Sequence, residues 1–354
     1  MAARATRSTS WAVRLGALPH ACLLQLAADA LTELPEDHAE ALVADRERCL
    51  LLALSHDALG VIFDGLADPL QPVVAVAFSS TCVGLRTPLR AAVEVLKERH
   101  TRAVALCRKM HTCPFFEDRY VSCAELPGAE KLYTSFTAKL YKIGRLVADD
   151  MATLGMILRT NGLPKLQEIW LDRNDADGFG DAGVQALCDD LGRGAAPSLR
   201  LLNLVGSKFG PAGAEALAAA LGRGAMPKVE KLCLNLNPIG NQGVAALAPV
   251  LRKMPALKTM TLVHCGIGDE GVASLVDNLG KDDFKALEQL RLKNNKITDA
   301  GVAKLLAALD TGGLPKLVDD YYMLPDNPAS AVAVQALKHA LVKRLPSRRS
   351  FGYG

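Results

Sequence analysis

From Leu163 onward the chain writes one phrase five times. Aligned on the glycine that opens each apolar run, the copies stand at Gly183, Gly213, Gly243, Gly271 and Gly301, spaced 30, 30, 28 and 30 residues apart. A ladder precedes each glycine. Its rungs are Leu166, Ile169, Leu171 and Asn174, then Leu199, Leu202, Leu204 and Ser207, then Val229, Leu232, Leu234 and Asn237. Leu257, Met260, Leu262 and Cys265 follow, and Leu287, Leu290, Leu292 and Asn295 close the series. An apolar run such as "GVAALAPVL" (243–251) or "GVAKLLAAL" (301–309) comes after each glycine. No single copy of such a unit can bury its own apolar face, so the copies must stack.

The spelling L-x-x-L-x-L-x-x-N/C followed by an apolar helix resembles the leucine-rich repeat family, in its long ribonuclease-inhibitor-like form. The resemblance implies an α/β solenoid, with parallel strands on the concave face and helices on the convex face, preceded here by an all-α N-terminal region. The L-x-L segment reads as a strand whose leucines point inward and whose alternate residues point out. The Asn or Cys turns the chain and bonds loop backbone that would otherwise be buried unpaired. In the first copy, Asn174 to Gly183 is nine residues where the third and fifth copies have six, so "DAD" (175–177) is a loop insertion. The same stretch mimics a calcium loop, but Arg173 and Val184 stand where its first and last oxygen ligands belong. No metal site is expected there.

A solenoid needs covered ends. "DDMATLGMILRTNGLPKL" (149–166) aligns with "AGVAKLLAALDTGGLPKL" (300–317), so 149–162 reads as a helix-only half repeat that places Met151, Leu154 and Leu158 inside. At the back, Asn327 ends a degenerate ladder with Leu324 and Tyr322 in the leucine slots. A last helix over 331–343 leads into a basic tail.

Ahead of the repeats, Leu54, Leu59, Ile62, Phe63 and Leu66 give an amphipathic helix, Pro69 and Pro72 interrupt it, and Val74, Phe78, Cys82 and Leu85 resume helical spacing. This stretch resembles an F-box, although Ser55 replaces the usual proline and no tryptophan follows Cys82. The resemblance implies a Skp-family adaptor contacting Leu54, Leu59, Ile62, Phe63 and Leu66, and a substrate receptor of a cullin ubiquitin ligase. Without the resemblance, the same residues describe a helical cap that buries them all. Thr87 and Pro88 read as the cap and first residue of the next helix, with Leu89, Val93, Leu96 and Val104 on one side. The expected division is a flexible or targeting N-terminus over 1–35, an F-box-like region over 36–110 and an irregular and helical linker over 111–148. The repeat domain then covers 149–345 and the basic tail 346–354.

Composition narrows the function classes. A net charge of +3 gives no concentrated basic face for nucleic acid, and no apolar run is long enough to span a membrane. Nine scattered cysteines among apolar neighbours read as free thiols of a reducing compartment, which points to the cytoplasm. The acid-free start with Arg4, Arg7 and Arg14 also has the composition of an organelle-targeting segment. His100, Cys107, His111, Cys113 and Cys123 lack zinc-ligand spacing and read as core thiols and a solvent-facing histidine.

No phosphate-binding, hydrolase or metalloprotease motif occurs, so no enzyme activity, catalytic residue or cofactor is expected. What remains is a protein partner on the concave face. Alternation assigns to that face Trp170, Asp172, Asn203, Asn235, Arg291 and Lys293, with Arg173 and His264 beside them. Trp170, Arg173, Arg291 and Lys293 are of the types that dominate binding hot spots. A stand-alone scaffold fits these residues equally well. Ran GTPase-activating proteins share the long repeat type, which implies a small-GTPase regulator without assigning any residue to that role.

Overall fold

Ile169, Leu202, Leu232, Met260 and Leu290 are each the middle residue of a three-residue strand, and each is at most 1% exposed. Strands this short suffice because each is paired at its edges and buried on one side by its ladder leucines. The computed structural model describes residues 62–64, 66–80, 83–112, 120–134, 146–160, 163–171, 179–189, 191–318 and 322–344. The chain divides into two units, Met1–Ala103 and Val104–Gly354.

Helix α1 (Val73–Ser80) lies in the first unit, and helix α2 (Val83–Cys107) begins in it and ends in the second, which holds Val104–Cys107. Phe63, Leu66, Ala67, Ala75, Leu89 and Leu96 form the core of the first unit, with Ile62, Ala92 and Val93 packed against them. The helix expected to start at Thr87 starts instead at Val83, so Pro88 lies inside it. The proline has no N–H, so the helix forgoes one backbone bond at that position.

The second unit runs β1 (Met110–His111), β2 (Lys131–Thr134), α3 (Ala148–Thr160), β3 (Glu168–Trp170), α4 (Gly180–Cys188), β4 (Leu201–Asn203) and α5 (Pro211–Gly222). It continues β5 (Lys231–Cys233), α6 (Gly240–Lys253), β6 (Thr259–Thr261), α7 (Asp269–Val276), β7 (Gln289–Arg291), α8 (Asp299–Asp310) and α9 (Ala331–Arg344). The strands form one seven-stranded sheet in sequence order, and consecutive helices from α3 onward pack on one another. All pairs from β2 to β7 are parallel and in strict register: Leu132↔Ile169, Ile169↔Leu202, Leu202↔Leu232, Leu232↔Met260 and Met260↔Leu290. This is the expected α/β repeat solenoid.

At the front, Met151, Leu154 and Leu158 are buried as the alignment requires, but the half repeat is not helix-only. Strand β2 supplies its missing strand, with Ala129 and Leu132 buried where the next copy has Leu166 and Ile169. Strand β1 then pairs antiparallel with β2. At the back, Leu324 is buried as expected, but Tyr322 is 43% exposed and Met323 lies inside instead. The chain there forms turns rather than a strand, so strict alternation does not apply.

Two rows of hydrogen bonds tie the repeats together, the second interrupted where Pro211 stands. In the first, the residue ending each ladder donates to the carbonyl of the last ladder leucine one repeat earlier. Ser207 Oγ reaches Leu171 O at 3.4 Å and Asn237 Nδ2 reaches Leu204 O at 2.8 Å. Cys265 Sγ reaches Leu234 O at 3.3 Å, Asn295 Nδ2 reaches Leu262 O at 2.8 Å, and Asn327 Nδ2 reaches Leu292 O at 2.9 Å. The second row runs between helix N-termini. Asp181 Oδ1 accepts from Gly210 and Gly213 N, both at 2.7 Å, and Asn241 Oδ1 from Gly268 N at 2.7 Å. Asp269 Oδ1 accepts from Thr298 N at 2.8 Å and Gly301 N at 2.9 Å, and Asp299 Oδ1 from Ser330 N at 2.6 Å. Each side chain thus fills orphan donors of the next helix, and the aspartates also set a negative charge at the positive end of its dipole.

The repeat's glycine has a steric cause. A Cβ at Gly301 would sit 2.5 Å from Asp269 Oδ1 and 2.7 Å from Ile297 Cγ2, and one at Gly243 would sit 2.5 Å from Ile239 Cγ2. Only glycine lets the helix start pass between the preceding apolar side chain and the neighbouring helix.

Asn295→Leu should destabilise the repeat unit by about 1–3 kcal/mol, because it orphans buried backbone at both ends of the amide. Asn237→Leu should cost less within that range: the Asn295 oxygen accepts from Cys265 and Ile267 N, whereas the Asn237 oxygen has no partner. Chemical denaturation of both variants checks the order. For Asp269, burial pushes the carboxyl pKa up, but hydrogen bonds from the Thr298 side chain and from Thr298 and Gly301 backbone outweigh it and hold the pKa below the usual value. The folded carboxyl therefore protonates at lower pH than the unfolded one. Its contribution is fully present above the ordinary carboxylate range and disappears as pH falls through the depressed value. Asp269→Asn keeps an acceptor without the titration, so stability measured from neutral to acid pH should fall less steeply in the variant.

Candidate protein-binding face

Because the middle residue of each strand points into the stack, its two neighbours face away from the helices. These outward residues form three groups along the sheet.

At the front end, the rings of Tyr133 and Trp170 stack with centroids 5.9 Å apart and planes 21° from parallel. The Trp170 indole N–H donates to Glu168 Oε2 at 3.0 Å, and Glu168 Oε1 pairs with Lys131 Nζ at 2.8 Å. Burial raises the Glu168 pKa, but the bonds from Lys131 and Trp170 outweigh that and hold it low, so the cluster keeps its charge separation. The stack presents a partly exposed aromatic ledge braced by an ion pair.

The middle is a floor of small side chains. Asn203 and Thr261 are buried at 5% and 4% exposure, and Cys233 is half-buried between them. Asn203 Oδ1 accepts from Val205 N at 3.0 Å, and Asn235 Oδ1 accepts from Val263 N at 2.8 Å. Both asparagines, expected as contact residues, have their oxygens committed to the sheet's own loops.

At the back end, Arg291 and Lys293 lie over the Tyr322 ring, 5.4 and 5.7 Å from its centroid. Lys293 Nζ also pairs with Asp326 Oδ2 at 3.2 Å. Tyr322 gathers these cations because it has left the ladder.

The rim beyond the strands is set by a left-handed residue ahead of each ladder end: Gly206, Leu236, His264, Asn294 and Asp326 have φ of 67°, 60°, 57°, 54° and 58°. Glycine, asparagine and aspartate suit that conformation; leucine does not. Leu236 is nonetheless 48% exposed there, beside the half-buried Val263 whose carbonyl it bonds at 2.9 Å, with His264 exposed next along the rim.

Asp172 and Arg173 lie outside the described residues, as do Leu54, Leu59, Asn174 and the "DAD" insertion. Of the set assigned to an adaptor, Phe63 and Leu66 are 1% and 9% exposed within the first unit's own core, and Ile62 is half-buried against it. The histidine expected to face solvent is buried if it is His111, at 2% exposure beside Tyr120. His100 is half-buried, its Nδ1 2.8 Å from Pro69 O. Among the described residues no three metal-ligating side chains cluster, and no helix is long and apolar enough to cross a membrane. Tyr133, Glu168 and Leu236 have no assignment from sequence, and Tyr322 is expected in the ladder rather than on this face. Only Tyr133 carries a usable signal, since "KLY" (131–133) repeats the strand spelling once the front strand is known.

Asn203→Ala and Asn235→Ala should each lower stability by about 0.5–1.5 kcal/mol, the net value of an intramolecular hydrogen bond, without unfolding the chain. Thermal denaturation of the single variants measures this.

A family model described as Leucine Rich repeat matches residues 195–218, 225–248, 255–276 and 286–306. No curated protein matches the chain. The matched segments each carry a ladder, a strand and the following helix start of the solenoid, so this chain carries leucine-rich repeats in tandem.

Proposed function

We propose that the outward sheet face is a docking surface for a protein partner, and that the chain acts by binding rather than by catalysis. The observation that supports this most is the pair of clusters at the two ends of the face, Tyr133–Trp170 and Arg291–Lys293–Tyr322. Aromatic and arginine side chains supply most of the energy in protein interfaces, and both clusters are braced in place before any partner arrives. Trp170, Arg291 and Lys293 are the principal contacts, with Leu236 and His264 extending the site along the rim. A stand-alone scaffold needs nothing more. Five free thiols among the described cysteines accord with a reducing compartment such as the cytoplasm.

The receptor reading requires Ile62, Phe63 and Leu66 to meet a Skp-family adaptor. Burial of Phe63 and Leu66 favours the helical cap over that reading. A small-GTPase regulator remains a reading by likeness of repeat type, which a single-turnover GTPase assay tests.

A partner captured with the full chain should bind Trp170→Ala and Arg291→Ala more weakly, each by about 2 kcal/mol or more, close to thirtyfold in Kd. Titration calorimetry with folded variants measures it, and unchanged affinity in both moves the site off the sheet face. In parallel, a Skp-family adaptor mixed with the chain should show no binding if the first unit is only a cap. Binding that Ile62→Asp abolishes in a folded variant would establish the receptor instead.

A further inference from the structure

The thiols of Cys107 and Cys123 lie 3.6 Å apart, sulfur to sulfur. Cys107 is the last residue of α2 and is buried, whereas Cys123 is partly exposed in the turn that follows Val121. Between them runs β1, the antiparallel edge strand of the sheet, and Val121 N returns to Met110 O at 3.0 Å. A disulfide needs a sulfur separation of about 2.05 Å, so closure asks for a movement of roughly 1.5 Å shared between two side chains. Cys123 sits in a turn rather than a helix or strand, and can supply that movement without breaking a ladder. Cys265, by contrast, is engaged with Leu234 O in the inter-repeat row. Burial pushes the Cys107 thiol well up and the neighbouring Cys123 adds to it, so the more accessible Cys123 is the sulfur that opens an exchange.

We propose that Cys107 and Cys123 form a dithiol site that reacts with a small-molecule disulfide and closes into an intramolecular bond. The accessible Cys123 sulfur, having given its proton to solvent, attacks one sulfur of the reagent and expels the other half as a thiolate. Cys107 then loses its proton and attacks Cys123 in the resulting mixed disulfide, expelling the second half. Two protein thiols are oxidised, one reagent disulfide is reduced to two thiols, and two protons pass to the leaving thiolates. The bond ties together the two ends of the segment that closes the sheet edge. It is reversible by the same exchange in a thiol-rich compartment. This site is independent of the partner-binding face.

The test uses the full chain, reduced, freed of reductant and equilibrated with oxidised glutathione at mildly alkaline pH. After alkylation and trypsin, mass spectrometry should find Ala103–Arg108 joined to Tyr120–Lys131, with the link removed by dithiothreitol. Cys107→Ser and Cys123→Ser should each abolish the link. A trivalent arsenical, which needs two adjacent thiols, should bind the reduced parent and lose that binding in either variant. Full alkylation of Cys107 after oxidation overturns the proposal, as does a link from Cys107 to Cys113 in the peptide Met110–Arg119.

Discussion

One carbonyl per repeat holds this solenoid together. After its last leucine each strand turns sharply, and the turn strands that leucine's C=O inside the stack, where no water reaches it. The next repeat answers with a side-chain donor: Ser207, Asn237, Cys265, Asn295 and Asn327 each reach the carbonyl one repeat back. Leaving such a group unpaired costs more than any single pair contributes, so the row acts as a register lock. Slip by one residue would point the leucines outward and strand every carbonyl at once. The in-register pairing from Leu132 through Leu290 is the visible result.

A floor fixed in this way leaves the outward side chains free of any folding duty, but not equally so. Arg200 and Lys258 both pair with Glu230, at 3.1 and 2.7 Å, and Lys131 pairs with Glu168, so the charges on the incoming edge of the strands largely answer one another. Across the strands the character changes to stacked aromatics, cations on a tyrosine and an exposed leucine in a left-handed turn. Backbone strain of that kind persists where the surroundings impose it, and it collects at functional positions. The contrast between the two edges gives the partner-binding reading a direction across the sheet as well as a location on it.

The ladder was legible because one residue class recurs at fixed spacing, and burial alone explains that recurrence: all fifteen ladder leucines, or their Ile, Val and Met substitutes, are at most 1% exposed. What escaped were features spread over two repeats or lacking leucine. The D/N-x-G spelling of Asp181, Asn241, Asp269 and Asp299 is present, but its bonds reach the following helix, and Pro211 breaks the series. Strand β2 was missed because Ala129 and Thr134 occupy ladder slots that elsewhere hold leucine or valine. Among the described residues alternation separates outward from inward positions on the strands, yet it cannot tell which of the outward ones are already spent. Trp170 and Asn203 are equivalent in register, and only the hydrogen bond from Val205 N shows that the asparagine serves the fold.

The placement of the large outward side chains follows from the same stacking. In mid-sheet every outward position has neighbours on both sides 4.8 Å or so away, and the face carries Asn203, Cys233 and Thr261 there. At the ends that regularity breaks. In front, β1 runs antiparallel and covers the edge that β2 would otherwise offer to another chain. Tyr133 and Trp170 fit at that boundary, on the first two strands of the parallel run. Behind, the chain from Tyr322 forms turns, and Tyr322 lies outward under Arg291 and Lys293 while Met323 fills the interior. Covering the ends of the stack and equipping its face are thus one arrangement. The departures from the repeat that close the solenoid also carry the stacked rings at one end of this face and the cations over a ring at the other.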